Sequence, residues 1–219
     1  MPASTEGDPP AADVPADTTP CLRTPGTAGA GDCRAEHEQW QRRLRLQRRL
    51  HDGASLRISA LVPQLGVVRN RVPEARPDLD ASIEELQDQL HTVLQELREI
   101  ARVIYPPLLD LAGLAPALKE FADRVPVPVR VEVAEERLGA AVEGAAYFAV
   151  TGCLGDLRPG GPPVDVVARR AGAELVVTLT GVPPRLAVGV LDQVHGLGGQ
   201  VRTSGDPEDG TIEARIPCA

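Results

Sequence analysis

Aromatic residues are almost missing from this chain of 219 residues, which has one tryptophan, two tyrosines and two phenylalanines. Its core has to be built from Ala, Leu and Val, a composition that suits helices and small α/β layers. Cysteine is sparse as well. Cys21, Cys33, Cys153 and Cys218 stand apart with no CxxC pair, which argues against a zinc centre and against a disulfide framework. No apolar run approaches the roughly 18 to 20 residues that a membrane span needs, and the N-terminus lacks the basic and apolar regions of a leader. A cytoplasmic location without a membrane span is therefore expected. Positive charge is also in deficit. A net charge of −8 would repel a phosphate backbone, so nucleic acid is not an expected partner.

A chain of this length can hold two small modules, each with its own core. Residues 1–34 are Pro, Ala, Gly, Thr and Asp with almost nothing to bury, and are predicted to be a disordered tail. From Ala35 the composition turns to Arg, Leu, Gln and Glu, which predicts a helix to about Arg71 with a bend at Pro63. After a turn over Val72 to Asp80, Asp80 or Ser82 can cap a second helix. In that helix Ile83, Leu86, Leu90, Val93, Leu97, Ile100 and Ile104 recur at steps of three and four as one heptad seam, ending at Pro106-Pro107. Residues 35–113 thus read as a helical hairpin, which could pack on the rest of the chain or pair with a second copy.

Residues 114–219 have a different texture. Helices are expected near 114–124, 141–157 and 186–197, and strands near 127–133, 164–168, 174–180, 200–203 and 211–216. The expected fold class is α+β, a hairpin followed by a small α/β sandwich.

Three stretches in this order carry a resemblance. They are Arg48-Arg49-Leu50-His51-Asp52-Gly53-Ala54, then Leu97-Arg98-Glu99-Ile100-Ala101-Arg102 with Pro106-Pro107-Leu108-Leu109 and Gly113-Leu114-Ala115-Pro116-Ala117-Leu118, then Glu143-Gly144-Ala145-Ala146-Tyr147-Phe148. Together, over about residues 36–218, they resemble the two-component sensor histidine kinases that pair with helix-turn-helix response regulators. The resemblance implies a dimeric four-helix bundle, an ATP-binding domain using ATP and magnesium, and His51 as phosphoacceptor. An adjacent carboxylate, Asp52, can serve as general base, taking the imidazole proton as the ring attacks phosphorus. His37, His91 and His195 lack such flanking motifs and read as surface residues. Arg42, Arg43, Arg45, Arg48 and Arg49 precede His51 and could steer an acidic partner or simply form a solvated face.

The chain departs from the family where the nucleotide should bind. The resemblance places Gly152 where an acidic residue belongs and Asp156 where the magnesium-holding Asn belongs; a carboxylate there can still hold magnesium. The adenine-reading turn falls on Leu179-Thr180-Gly181-Val182-Pro183, with only Gly181 matching, and the next loop retains only Gly189. Five residues after His51, where members that dephosphorylate their regulator often carry Gln, stands Leu56. The expectation is a kinase-derived protein with a degraded ATP site, exchanging phosphoryl groups through His51 with a response regulator receiver domain or a partner histidine kinase. An active ATP-dependent kinase and a non-enzymatic dimerising regulator are the alternatives.

Overall fold

The computed structural model describes residues 21–22, 30–71 and 76–218. Its elements are β1 (Cys21–Leu22), α1 (Ala30–Arg48), a π-helical turn (Arg49–Ser55), α2 (Leu56–Arg69) and α3 (Pro77–Ile104). The α+β part follows as α4 (Pro107–Ala112), α5 (Leu114–Ala122), β2 (Val129–Val133), α6 (Ala140–Gly155), β3 (Val164–Ala171), β4 (Glu174–Val182), α7 (Ala187–Val194), β5 (Gln200–Gly205) and β6 (Gly210–Pro217). The sheet runs β1-β5-β6-β4-β3-β2, with β2 and β3 parallel and the other pairs antiparallel. Parallel neighbours need a crossover, and α6 supplies it. Among the described residues no helix is long and apolar enough to cross a membrane.

Alternation builds the sheet's inner face: Gly210, Ile212, Ala214 and Ile216 of β6 and Val164, Val166 and Ala168 of β3 are buried. Helix α6 lies on that face and is buried almost all round. A helix without a polar side needs cover on both sides, and the second cover is α1. Trp40 and Leu44 of α1 join one core with α6, the sheet, Tyr105 and Leu109. The core therefore crosses the boundary expected at residue 113.

Several expectations change in detail. Helix α1 begins at Ala30, inside the segment expected to be a disordered tail, and Cys21–Leu22 pairs with β5; the rest of that segment lies outside the described residues, as do residues 72–75 of the expected turn. The second helix starts at Pro77, ahead of Asp80 and Ser82, because Pro at the first helical position has φ preset and no N–H to leave unpaired. The irregularity in the first helix falls on Arg49–Ser55, and Pro63 lies inside α2. The heptad seam of α3 is divided between two faces. Of its members Ile83 is buried and Leu90, Leu97 and Ile104 are half-buried, whereas Leu86, Val93 and Ile100 remain exposed at 49%, 43% and 50%; Leu94 and Ala101, outside the seam, are buried.

Candidate functional site

His51 sits in the π-helical turn, where the Leu56 N–H donates to the carbonyls of both His51 and Gly53. Such a turn carries one extra residue and re-aims the side chains around it, which is why π-turns concentrate at functional sites. The imidazole is half-buried and lines two cavities. One, of about 430 Å³, is bounded by Gln47, Arg48, Asp52, Pro107, Asp110 and Leu111. The other, of about 540 Å³, lies between α3, α5 and α6 and takes in Ser55, Arg98, Arg102, Arg124, Tyr147 and Phe148 among its walls.

The helix carrying His51 is anchored through Arg48. Its Nε and Nη2 donate to the two carboxylate oxygens of Asp110 on α4 at 2.8 and 2.7 Å, a bidentate pair. Arg137 donates to the Asp110 carbonyl at 3.2 Å and to Glu143 Oε1 at 2.9 Å, and the Leu138 N–H donates to the same Glu143 oxygen at 2.8 Å. The position of His51 is thereby fixed against α6. Of the five arginines that precede His51, Arg48 is held in this pair and Arg43 lies 4.5 Å over the Trp40 ring, while Arg42, Arg45 and Arg49 are exposed.

The Arg48 guanidinium beside Asp110 holds its carboxyl below the usual carboxylate range, the hydrogen bond outweighing the opposing effect of burial. A folded-state value below the unfolded one gives stability that is complete above about pH 4 and lost as pH falls through the folded value. Asp110→Asn is expected to cost about 1 kcal/mol at pH 7. Urea melts at falling pH should show the gap to the wild type closing as Asp110 protonates.

A third cavity, also of about 540 Å³, lies at the far end of α6. Asp156, Arg158, Gly181, Pro183, Arg185 and Glu208 are among its walls. Gly181 has φ +83°, and a Cβ there would stand 2.5 Å from the Pro163 carbonyl oxygen, so packing alone demands glycine. Asp156 is exposed at the end of α6, and among the described residues no three His, Cys, Asp or Glu side chains are grouped to hold a metal. Leu179 is fully buried in the core. It offers no acceptor to an adenine amino group. Gly189 is exposed on α7 and Gly152 is exposed on α6; neither lines this cavity.

Residues 42–109 match the family model described as histidine kinase. The match spans 68 of the 219 residues. The chain is accordingly a sensor-histidine-kinase-like protein of two-component signalling, and domains of this family dimerise. Among solved structures, the histidine kinase domain of the Erythrobacter litoralis EL346 blue-light activated kinase is 16% identical, covering 74% of this chain and 94% of that one, with a TM-score of 0.39. A Burkholderia phymatum STM815 histidine kinase is 17% identical over 76% and 99% of the two chains at TM-score 0.36, and the Acinetobacter baumannii kinase AdeS is 9% identical over 74% and 95% at TM-score 0.35. No curated protein matches the chain.

Within the matched segment, His51 and Asp52 are neighbours on one turn, with Asp52 exposed and on the smaller cavity only. Leu56 is 56% exposed one turn further on. Three residues converge on His51 that sequence reasoning did not single out for this site: Ser55, Arg98 and Arg102. The spacing of Ser55 one turn after His51 was a readable signal; the arrival of α3 beside it was not.

Proposed function

We propose that the chain is a dimeric phosphotransfer protein whose His51 exchanges a phosphoryl group with the receiver domain of a response regulator or with a partner histidine kinase. The observation that carries the reading is the placement of His51, half-buried in a π-turn of the matched domain with a carboxylate next to it and cavities on two sides. A neutral imidazole nitrogen attacks the phosphorus of an acyl phosphate. The P–N bond forms as the donor's P–O bond breaks, the donor leaves as a carboxylate, and the ring proton passes towards Asp52.

The cavity at Gly181 and Asp156 is a remnant that no longer serves ATP. Support comes from the buried, apolar Leu179 and from the loss of a backbone donor at Pro183. A missing adenine acceptor alone costs about 1 to 3 kcal/mol, roughly ten- to a hundredfold in affinity. Calorimetry with ATP and magnesium should show no saturable heat at millimolar nucleotide, and labelled ATP should leave no acid-labile phosphate on the protein. A phosphorylated receiver domain should transfer label to the wild type and not to His51→Gln. Acid-labile label arriving from ATP alone would establish an active kinase instead, and no transfer from either donor would leave a dimerising regulator.

The dimer is expected to form through the outward face of α3. Leu86, Val93 and Ile100 are spaced seven apart, and exposed Leu61 and Val68 of α2 widen the same apolar character.

A further inference from the structure

We infer that the larger cavity beside His51 is a phosphoryl-anion site in which Arg98, Arg102 and Ser55 hold the oxygens of the group that His51 accepts. The inference rests on the phosphotransfer reading and adds the place where the anion is held. Arg98 and Arg102 are one turn apart on α3, so both guanidinium groups reach the same cavity. Among the described residues neither makes a salt bridge or hydrogen bond, as is also true of several exposed arginines, but these two face one cavity. Two cations facing one cavity without counter-ions suit a dianion. A planar guanidinium presents paired N–H donors at the spacing of phosphoryl oxygens.

A second observation points to the same ligand. Ser55 is 5% exposed, lines this cavity, and its Oγ has no hydrogen-bond partner among the described residues. A buried hydroxyl left unpaired costs free energy that an acceptor oxygen in the cavity would recover. Among the described residues the one carboxylate in the wall, Glu120, faces Arg124 at 3.5 Å. The negative charge near His51 is segregated on the other side, where Asp52 and Asp110 line the smaller cavity. Arg48, which also lines that cavity, pairs with Asp110, so the imidazole stands between a cationic chamber suited to the phosphoryl group and a cavity in which Asp52 is the carboxylate left to take its departing proton. Phe121, Tyr147 and Phe148 give the cationic chamber an apolar wall, and its volume leaves room for the body of a donor.

Inorganic phosphate titrated into the full chain, followed by NMR shifts of the arginine side chains, tests the site without any group transfer. Phosphate should bind to the wild type and to His51→Ala alike, and at least about tenfold more weakly to the double variant Arg98→Ala/Arg102→Ala. Both arginines are exposed on a helix, so alanine should leave the fold intact, which circular dichroism checks. A second arm uses phosphoramidate as donor. A His51 ring nitrogen forms the new P–N bond, the donor's P–N bond breaks, and ammonia leaves as ammonium with the imidazole proton. His51 phosphorylation should slow at least about tenfold in the double variant, and Arg98→Lys/Arg102→Lys should recover part of the rate. Phosphate binding that is absent, or unchanged in the double variant, would overturn the site. Binding that follows the arginines while His51 is never phosphorylated would keep the anion site and sink the phosphotransfer reading on which its role rests.

Discussion

Replacing Trp40 by alanine should lower stability by about 3 to 5 kcal/mol, the usual loss for a large aromatic side chain removed from a close-packed core. Trp40 is 1% exposed. It stacks on Phe148 of α6 with centroids 5.8 Å apart and meets the edge of Tyr105 at 6.4 Å. Gly144 makes this approach possible, since a Cβ there would lie 2.6 Å from two carbons of the indole. The Trp40 Nε1 has no hydrogen-bond partner among the described residues. Trp40→Phe keeps most of the ring and removes the unpaired donor, so it should stay within about 1 to 1.5 kcal/mol of the wild type. Gly144→Ala should cost about 1 to 3 kcal/mol by overpacking the same contact. Chemical denaturation followed by circular dichroism checks all three. A Trp40→Ala loss below about 1 kcal/mol would show that α1 does not depend on α6.

Val93→Glu together with Ile100→Glu should convert the dimer to a monomer. Both side chains lie on the outward face of α3 and are about half exposed in the single chain, so glutamate is tolerated in an isolated molecule. In a dimer the same positions would be buried. Unpaired carboxylates there cost several kcal/mol each, enough to move the association equilibrium by orders of magnitude. Sedimentation at micromolar concentration should report a dimer for the wild type and a folded monomer for the variant. Leu90 and Leu97, half-buried against the first helices, would be poorer choices because charge there also disturbs the fold of each chain. A monomeric wild type would remove the four-helix bundle from the account.

The motif around His51 and the steps of three and four in α3 were legible in the sequence, because helical periodicity states directly which side chains share a face. What covers that face is not stated by periodicity. Trp40, Leu44 and Gln47 form a buried stripe whether the partner is α3 or α6, so the docking of α1 on α6 stayed hidden. Gly144 was its one trace, and a lone glycine in a helix has many readings. The division of the α3 seam has the same origin. Ile83, Leu90 and Leu97 turn inward and Leu86, Val93 and Ile100 outward, a split that follows only once the first helix is in place. The π-turn at His51 depends on hydrogen-bond register, which leaves no apolar pattern. The convergence of Ser55 with Arg98 and Arg102 joins distant parts of the chain and needed the fold. The start of α3 at Pro77 could have been read from the N1 preference of proline, and the caps offered by Asp80 and Ser82 obscured it.

Phosphotransfer through His51 is tested most directly by the chemical stability and position of phosphate on the protein after exposure to a phosphorylated receiver domain. The expected result is acid-labile, base-stable phosphate that mass spectrometry places on His51, absent from His51→Gln and formed much more slowly in Asp52→Asn. Phosphate that persists in His51→Gln, or that never appears on the wild type while the same donor labels another histidine protein, would contradict the account.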